Sequence, residues 1–135
     1  APRAIILVEN RERAFALDEA ILKYTRHTSL RVYTCDDKLH IEMLTSEIFE
    51  GVDILIVTPK TMCKLLLLEG LNLTQLKIFN IEDAEFLAKS ATYTDLMSIT
   101  QSIHKCQYVI YSEKTNPMIK RLETQFMQYS KKVAI

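Results

Sequence analysis

The chain repeats one rhythm. A short apolar run is followed by a longer segment whose apolar residues fall three and four apart, and the pair then recurs. The short runs are residues 4–8 (AIILV), 30–35 (LRVYTC), 53–58 (DILIVT), 77–81 (KIFNI), 107–112 (QYVIYS) and 131–135 (KKVAI). Each has strand length and is rich in Val, Ile or Tyr. Runs that stay apolar on both faces suit a parallel sheet covered on both sides.

The segments between them predict helices. Asn10 is placed to cap one with Ala14, Leu17, Ile21 and Tyr24 inside. Asp36 or Asp37 is placed to cap a second, with Leu39, Met43, Leu44 and Ile48 inside and Gly51 as its stop. Thr58-Pro59 reads as the cap and first turn of a third that ends near Gly70. Thr94 opens a fourth, through Leu96, Ile99 and Ile103; Asn116-Pro117 opens a fifth, with Ile119, Leu122, Phe126 and Tyr129 inside. Strict alternation predicts one three-layer α/β domain over residues 1–135, with a mostly parallel sheet of about six strands flanked by helices. Residues 5–8, 54–57, 78–81 and 109–111 are expected as interior strands.

Composition narrows the function. A chain of 135 residues, 48% apolar, is one domain with one core. Lys plus Arg and Asp plus Glu number 17 each, so any nucleic-acid site is a local patch on a neutral protein. No apolar run approaches the roughly 20 residues of a membrane span, and no signal peptide is evident. Cys35, Cys63 and Cys106 fit neither a disulfide framework nor zinc spacing, which points to packing in a reducing compartment. Gly51 and Gly70 are the two glycines, and neither precedes Lys-Ser or Lys-Thr. A phosphate-cradling loop needs glycines to bring backbone N–H groups against the ligand, so the chain has no P-loop and no dinucleotide fingerprint.

In open parallel sheets the ligand sits at the carboxyl ends of the strands. The residues there are 9–12, 36–37, 58–60, 82–85 and 112–115, all polar clusters apart from Pro59 and Ala84. Their order resembles the motifs of DEAD-box RNA helicases. In AIILVENRERA, the residues Asn10, Arg11, Glu12 and Ala14 fall in register with Pro-Thr-Arg-Glu-Leu-Ala, while Glu9 and Arg13 depart from it. In DILIVTPKTM, Thr58 and Pro59 match Thr-Pro-Gly-Arg, and Lys60 and Thr61 replace the last two residues. KIFNIEDAE stands where the family has Asp-Glu-Ala-Asp. YVIYSEK stands where it has Ser-Ala-Thr; Ser112 matches, and Glu113 and Lys114 do not. The ordered set covers nearly the whole chain.

The resemblance is to the first RecA-like domain of such helicases, starting after its P-loop. The second RecA-like domain is the minor alternative, on the likeness of EIFEGVDILIVT, but its arginine-finger pattern is absent. Degenerate motifs of this kind resemble the tudor-domain helicases of the Yb type, which would imply piRNA biogenesis and a cytoplasmic, perinuclear ribonucleoprotein granule. The resemblance implies that Glu82 holds magnesium through water, that Asp83 orients the attacking water, and that both face the nucleotide. It implies that Ser112 couples this site to RNA by bonding the acidic motif, whose acids are Glu82, Asp83 and Glu85. It places Asn10, Arg11, Thr58, Pro59 and Lys60 on RNA.

The substitutions argue against hydrolysis. Every acid of the motif has changed length, and Asp for Glu moves the carboxylate by one methylene, roughly 1.5 Å. A misplacement near 1 Å costs on the order of 100-fold in rate. No cofactor is expected in this chain; ATP and magnesium are expected only if a P-loop lies upstream. The same acids also read as solvated groups at a strand end. Arg11, Asn10 and Thr58 sit at predicted helix N-termini, where N–H groups grip phosphate and where ordinary caps also sit.

Three functions stay open: a degenerate domain that binds single-stranded RNA weakly or binds protein in a ribonucleoprotein assembly; the ATP-binding half of an active RNA helicase; and a pure protein-interaction domain. The third predicts an exposed apolar patch, for which Met62, residues 65–68 and Leu71 are candidates beside core packing. Self-association is a further expectation.

Overall fold

The computed structural model describes residues 1–103, 105–114 and 117–126. Its elements follow in order: β1 (Ala4–Leu7), α1 (Arg11–Thr25), β2 (Val32–Thr34), α2 (Ile41–Glu50), β3 (Ile54–Val57), α3 (Pro59–Leu67), β4 (Ile78–Ile81), a 3₁₀ turn (Ala84–Ala88), α4 (Ser90–Gln101), β5 (Gln107–Ile110) and α5 (Pro117–Phe126). The described strands form one sheet in the order β2-β3-β1-β4-β5, and every pair is parallel. The expected α/β sandwich is therefore present, with β1 at its centre. The sixth predicted strand, 131–135, lies outside the described residues. The strand expected at 109–111 is β5, the outermost of the described strands on its side, and Val109 is 37% exposed.

The two faces of the sheet are covered unequally. Ile5, Leu7, Leu55, Val57, Phe79 and Ile81 pack under α2 to α5 in the main core. Ile56 and Val8, with Ile6 and Val32 beside them, meet α1 through Ala14, Leu17 and Ile21. Tyr24, expected inside, is 81% exposed. The reason is length. Fifteen helical residues run about 22 Å, four strand residues only about 13 Å, so the last turn of α1 overshoots the sheet.

Two predicted helix starts are corrected. Asp36 and Asp37 do not cap α2; Asp36 closes a turn with Leu39 N–H bonded to its carbonyl, and His40 takes the cap position without a side-chain bond. Leu39 thus lies before the helix and Met43 beside its buried stripe, at 41% and 52% exposed, while Leu44 and Ile48 are buried. Gly51 stops α2 as expected, with φ +130°. Thr94 does not open α4; the 3₁₀ turn buries Phe86 and Leu87 first, and the helix starts at Ser90, whose carbonyl accepts the Thr94 hydroxyl. In α5, Ile119 and Leu122 are buried as expected. Asn116, Tyr129 and the side chain of Phe126 lie outside the described residues. Met62, Leu65 and Leu71 are core, whereas Leu67 and Leu68 are exposed. Among the described residues, no helix is long and apolar enough to cross a membrane.

Candidate functional site

All the predicted site residues lie along the carboxyl edge of the sheet, where parallel strands hand over to loops. The edge divides at β1.

On the β2–β3 side, Asn10, Arg11 and Thr58 are already engaged. Asn10 is extended, and its side-chain oxygen accepts the Arg13 N–H at 2.9 Å, so it caps α1. Arg11 is the first helical residue. Its guanidinium grips Asp36 with both arms, Nε to Oδ1 at 2.6 Å and Nη2 to Oδ2 at 3.1 Å, and lies 4.9 Å over the Phe15 ring. The hydrogen bond from Arg11, helped by the Lys38 N–H, pulls the Asp36 carboxyl down to about 2.

Thr58 occupies the cap position of α3, with Pro59 buried in its first turn, but its hydroxyl does not cap. It donates instead to Asp37, at 3.2 and 3.1 Å to the two oxygens, and the Thr61 hydroxyl donates to Asp37 at 2.6 Å. Both threonines are buried, so the carboxylate satisfies hydroxyls that have little water. Lys60 points outward and is exposed. Cys35, just before the acid pair, is fully buried; burial, then the charge of Asp37, pushes its thiol up to about 12, which makes it packing rather than a nucleophile.

On the β4–β5 side, Glu82 accepts the Asn80 side-chain amide at 2.9 Å. Asp83 turns the chain in the left-handed region, φ +50°, and lies 3.4 Å from Arg13. Glu82, Asp83, Val8, Glu9, Arg13, Ala16 and Leu17 line a hollow of about 210 Å³ beside α1. Glu85 points the other way. Its Oε1 accepts the Ser112 hydroxyl at 2.8 Å, the Lys114 N–H at 3.1 Å and the Glu113 N–H. Burial works to raise the Glu85 carboxyl, and the hydrogen bonds, from its own backbone, Ser112 and the two N–H groups, outweigh it, so it lies below its ordinary value. The Ala84 N–H donates to the Tyr111 carbonyl at 2.9 Å, which ties the same two strand ends again.

The arrangement joins Glu85 to Ser112 and joins two of the RNA candidates, Arg11 and Thr58, to one acidic loop. It does not join Glu82 and Asp83 into a metal site: among the described residues, no three His, Cys, Asp or Glu are placed to hold an ion. One acid is bonded to an amide and the other lies beside an arginine. The described residues therefore do not by themselves fit ATP with magnesium. Asp36, Asp37, Thr61 and Arg13 are site residues that sequence reasoning misses or reads otherwise. The available signal is two adjacent acids at a strand end, beside a sheet edge already offering Arg11 and Thr58.

No family model matches the chain. In sequence it is 32% identical over 76 residues to the pre-mRNA-processing ATP-dependent RNA helicase PRP5 of Lodderomyces elongisporus, a match covering 56% of this chain and 8% of that protein. In structure it resembles a DEAD box protein from the hyperthermophile Methanococcus jannaschii, at TM-score 0.86 and 20% identity over 93% of this chain and 35% of that one. It also resembles the yeast DEAD-box splicing factor Prp28, at TM-score 0.83 and 19% identity over 93% of this chain and 30% of that one. The chain thus spans about a third of these solved relatives, and a smaller part of the helicase it matches in sequence. The chain has the RecA-like α/β fold found in these DEAD-box proteins.

Proposed function

We propose that this chain is a degenerate DEAD-box-type RNA helicase domain that works as a binding module for single-stranded RNA and does not turn over ATP. The observation that carries the reading is the bond from Ser112 to Glu85, with the Ala84–Tyr111 bond beside it. This is the link that the resemblance calls for, kept across two changed motifs. The changed acids around Glu82 and Asp83, one beside Arg13, support loss of hydrolysis. Exposed Phe49, Leu67 and Leu68 support protein partners in a ribonucleoprotein assembly and leave room for self-association. The Yb-type branch, with its piRNA role and perinuclear granule, is the narrowest part of the proposal and rests on the altered motifs alone.

One rival has an observation of its own. The intact Glu85–Ser112 link also suits the ATP-binding half of an active helicase. Purified protein incubated with ATP, magnesium and single-stranded RNA decides between them. No phosphate release above the blank is expected, together with weak, sequence-blind RNA binding, Kd on the order of 10⁻⁴ to 10⁻⁶ M. RNA-stimulated phosphate release would overturn the degenerate reading. Absence of RNA binding at low salt would leave the protein-interaction domain in its place.

A further inference from the structure

Two features on the β2–β3 half of the edge are built to take anions. One is the Arg11 guanidinium, a planar fork that suits a carboxylate or a phosphate equally. The other is the first turn of α3, with its N–H groups and the positive end of its dipole, flanked by the Thr58 and Thr61 hydroxyls. The fork already holds an anion from within the chain, and the two hydroxyls at the start of α3 hold another. Asp36 fills the fork with two hydrogen bonds, and Asp37 takes both hydroxyls. The two acids are consecutive residues on one loop, as two phosphates are consecutive on one strand.

We propose that Asp36 and Asp37 form a built-in occlusion of the nucleic-acid edge, two adjacent carboxylates standing in for two backbone phosphates, so that RNA engages this half only by displacing them. The inference rests on the reading that RNA meets this edge. Exchange of a carboxylate for a phosphate on Arg11 trades one charge-assisted pair for another, so it yields little net binding. The same loop leaves Lys60 as an exposed cation on this half, where a phosphate drawn to it also meets the negative charge of Asp37.

The test is Asp36→Asn with Asp37→Asn. Asn keeps the shape and still accepts from the Lys38 N–H and the threonine hydroxyls. Fluorescein-labelled oligouridine is titrated into the full chain across a range of potassium chloride, and circular dichroism melts check the fold. The double variant is expected to bind roughly tenfold tighter at low salt, with a log–log salt slope steeper by about 1.4, or 0.7 for each phosphate newly bound. Each single Asn variant is expected to give part of that increase, which keeps the test valid if the double variant folds poorly. Adding Arg11→Ala and Lys60→Ala to the double variant should return the affinity to the parent level. If parent and double variant bind alike, with one slope, the occlusion is wrong and the RNA reading stands. If the tighter binding survives loss of Arg11 and Lys60, the RNA lies elsewhere and the occlusion is wrong. If neither parent nor double variant binds at low salt, both readings fall.

Discussion

The two halves of the carboxyl edge use the same chemistry to opposite effect. On the β4–β5 half, the Glu85 carboxylate accepts only from neutral donors, the Ser112 hydroxyl and two backbone N–H groups. On the β2–β3 half, the Asp36 carboxylate covers a guanidinium, and the neighbouring Asp37 carboxylate accepts from two hydroxyls at the start of α3. The first arrangement ties two strand ends and leaves Glu82 and Asp83 beside a hollow containing a single arginine, Arg13. The second consumes the Arg11 charge that a phosphate would need. An acid bonded to neutral donors is a strut; an acid bonded to a cation, as Asp36 is to Arg11, is also a competitor.

The comparison implies different energetic costs, which gives its largest test. Asp37→Ala removes the acceptor of two hydroxyls on residues that are 3% and 6% exposed. An unsatisfied buried hydroxyl costs about 1–3 kcal/mol, so Asp37→Ala is expected to lower stability by about 2–3 kcal/mol. Glu85→Ala strands donors that water can reach, and is expected to cost about 1–2 kcal/mol. Urea denaturation measures both. The comparison breaks if Glu85→Ala is the costlier change, or if Asp37→Asn, which can still accept, is as costly as Asp37→Ala.

The fold is legible in the sequence because its signal is redundant. Ile54 to Val57 is apolar at every position, and a strand buried on both faces leaves that mark in any sequence. The helix starts are less legible, because a cap is one residue and its side chain can be taken by something distant. Asp36 lies 25 residues from Arg11 in sequence, and Asp37 lies 24 from Thr61. Both look like ordinary caps for α2, and only the packing of β2 beside β3 brings them to other partners. The same limit hides the occupancy of Arg11 and Thr58. Their placement on the edge follows from strand order in a parallel sheet, but the acids that engage them come from a loop that looks local. That Ser112 meets the acidic motif is legible through the resemblance, whereas its choice of Glu85, 27 residues away, among the three acids shows only in the structure.

The β4–β5 half has a strained point that its counterpart lacks. Asp83 holds φ +50°, a region where a Cβ crowds the following carbonyl. Asp83→Gly removes that crowding and loses only an exposed contact with Arg13 at 3.4 Å. Strain relief of about 1 kcal/mol outweighs an exposed pair worth a few tenths. The variant is therefore expected to be more stable by about 0.5–1 kcal/mol, read from the same urea transitions. A loss of stability would mean that the Asp83 side chain supports the turn, and that this half is braced by charge as the other is.

The smallest effect separates the halves by pH. Asp36 has an ordinary value of 3.8 and is drawn down to about 2 in the folded chain, first by the Arg11 hydrogen bond and then by the Lys38 N–H. A carboxyl whose folded value is depressed binds fewer protons in the folded state than in the unfolded state. Its contribution is fully present above the unfolded value of 3.8 and is lost as pH falls toward about 2. Asp36→Asn removes this titration and keeps the side-chain shape. The stability gap between parent and variant should therefore be constant at neutral pH and shrink only below 3.8. Urea midpoints for the two proteins between neutral pH and strong acid would show it. A gap that stays constant down through strong acid would mean that Asp36 titrates alike in the folded and unfolded chain, as a free surface acid does. The Arg11 fork would then be open to phosphate, and the two halves of the edge would be alike.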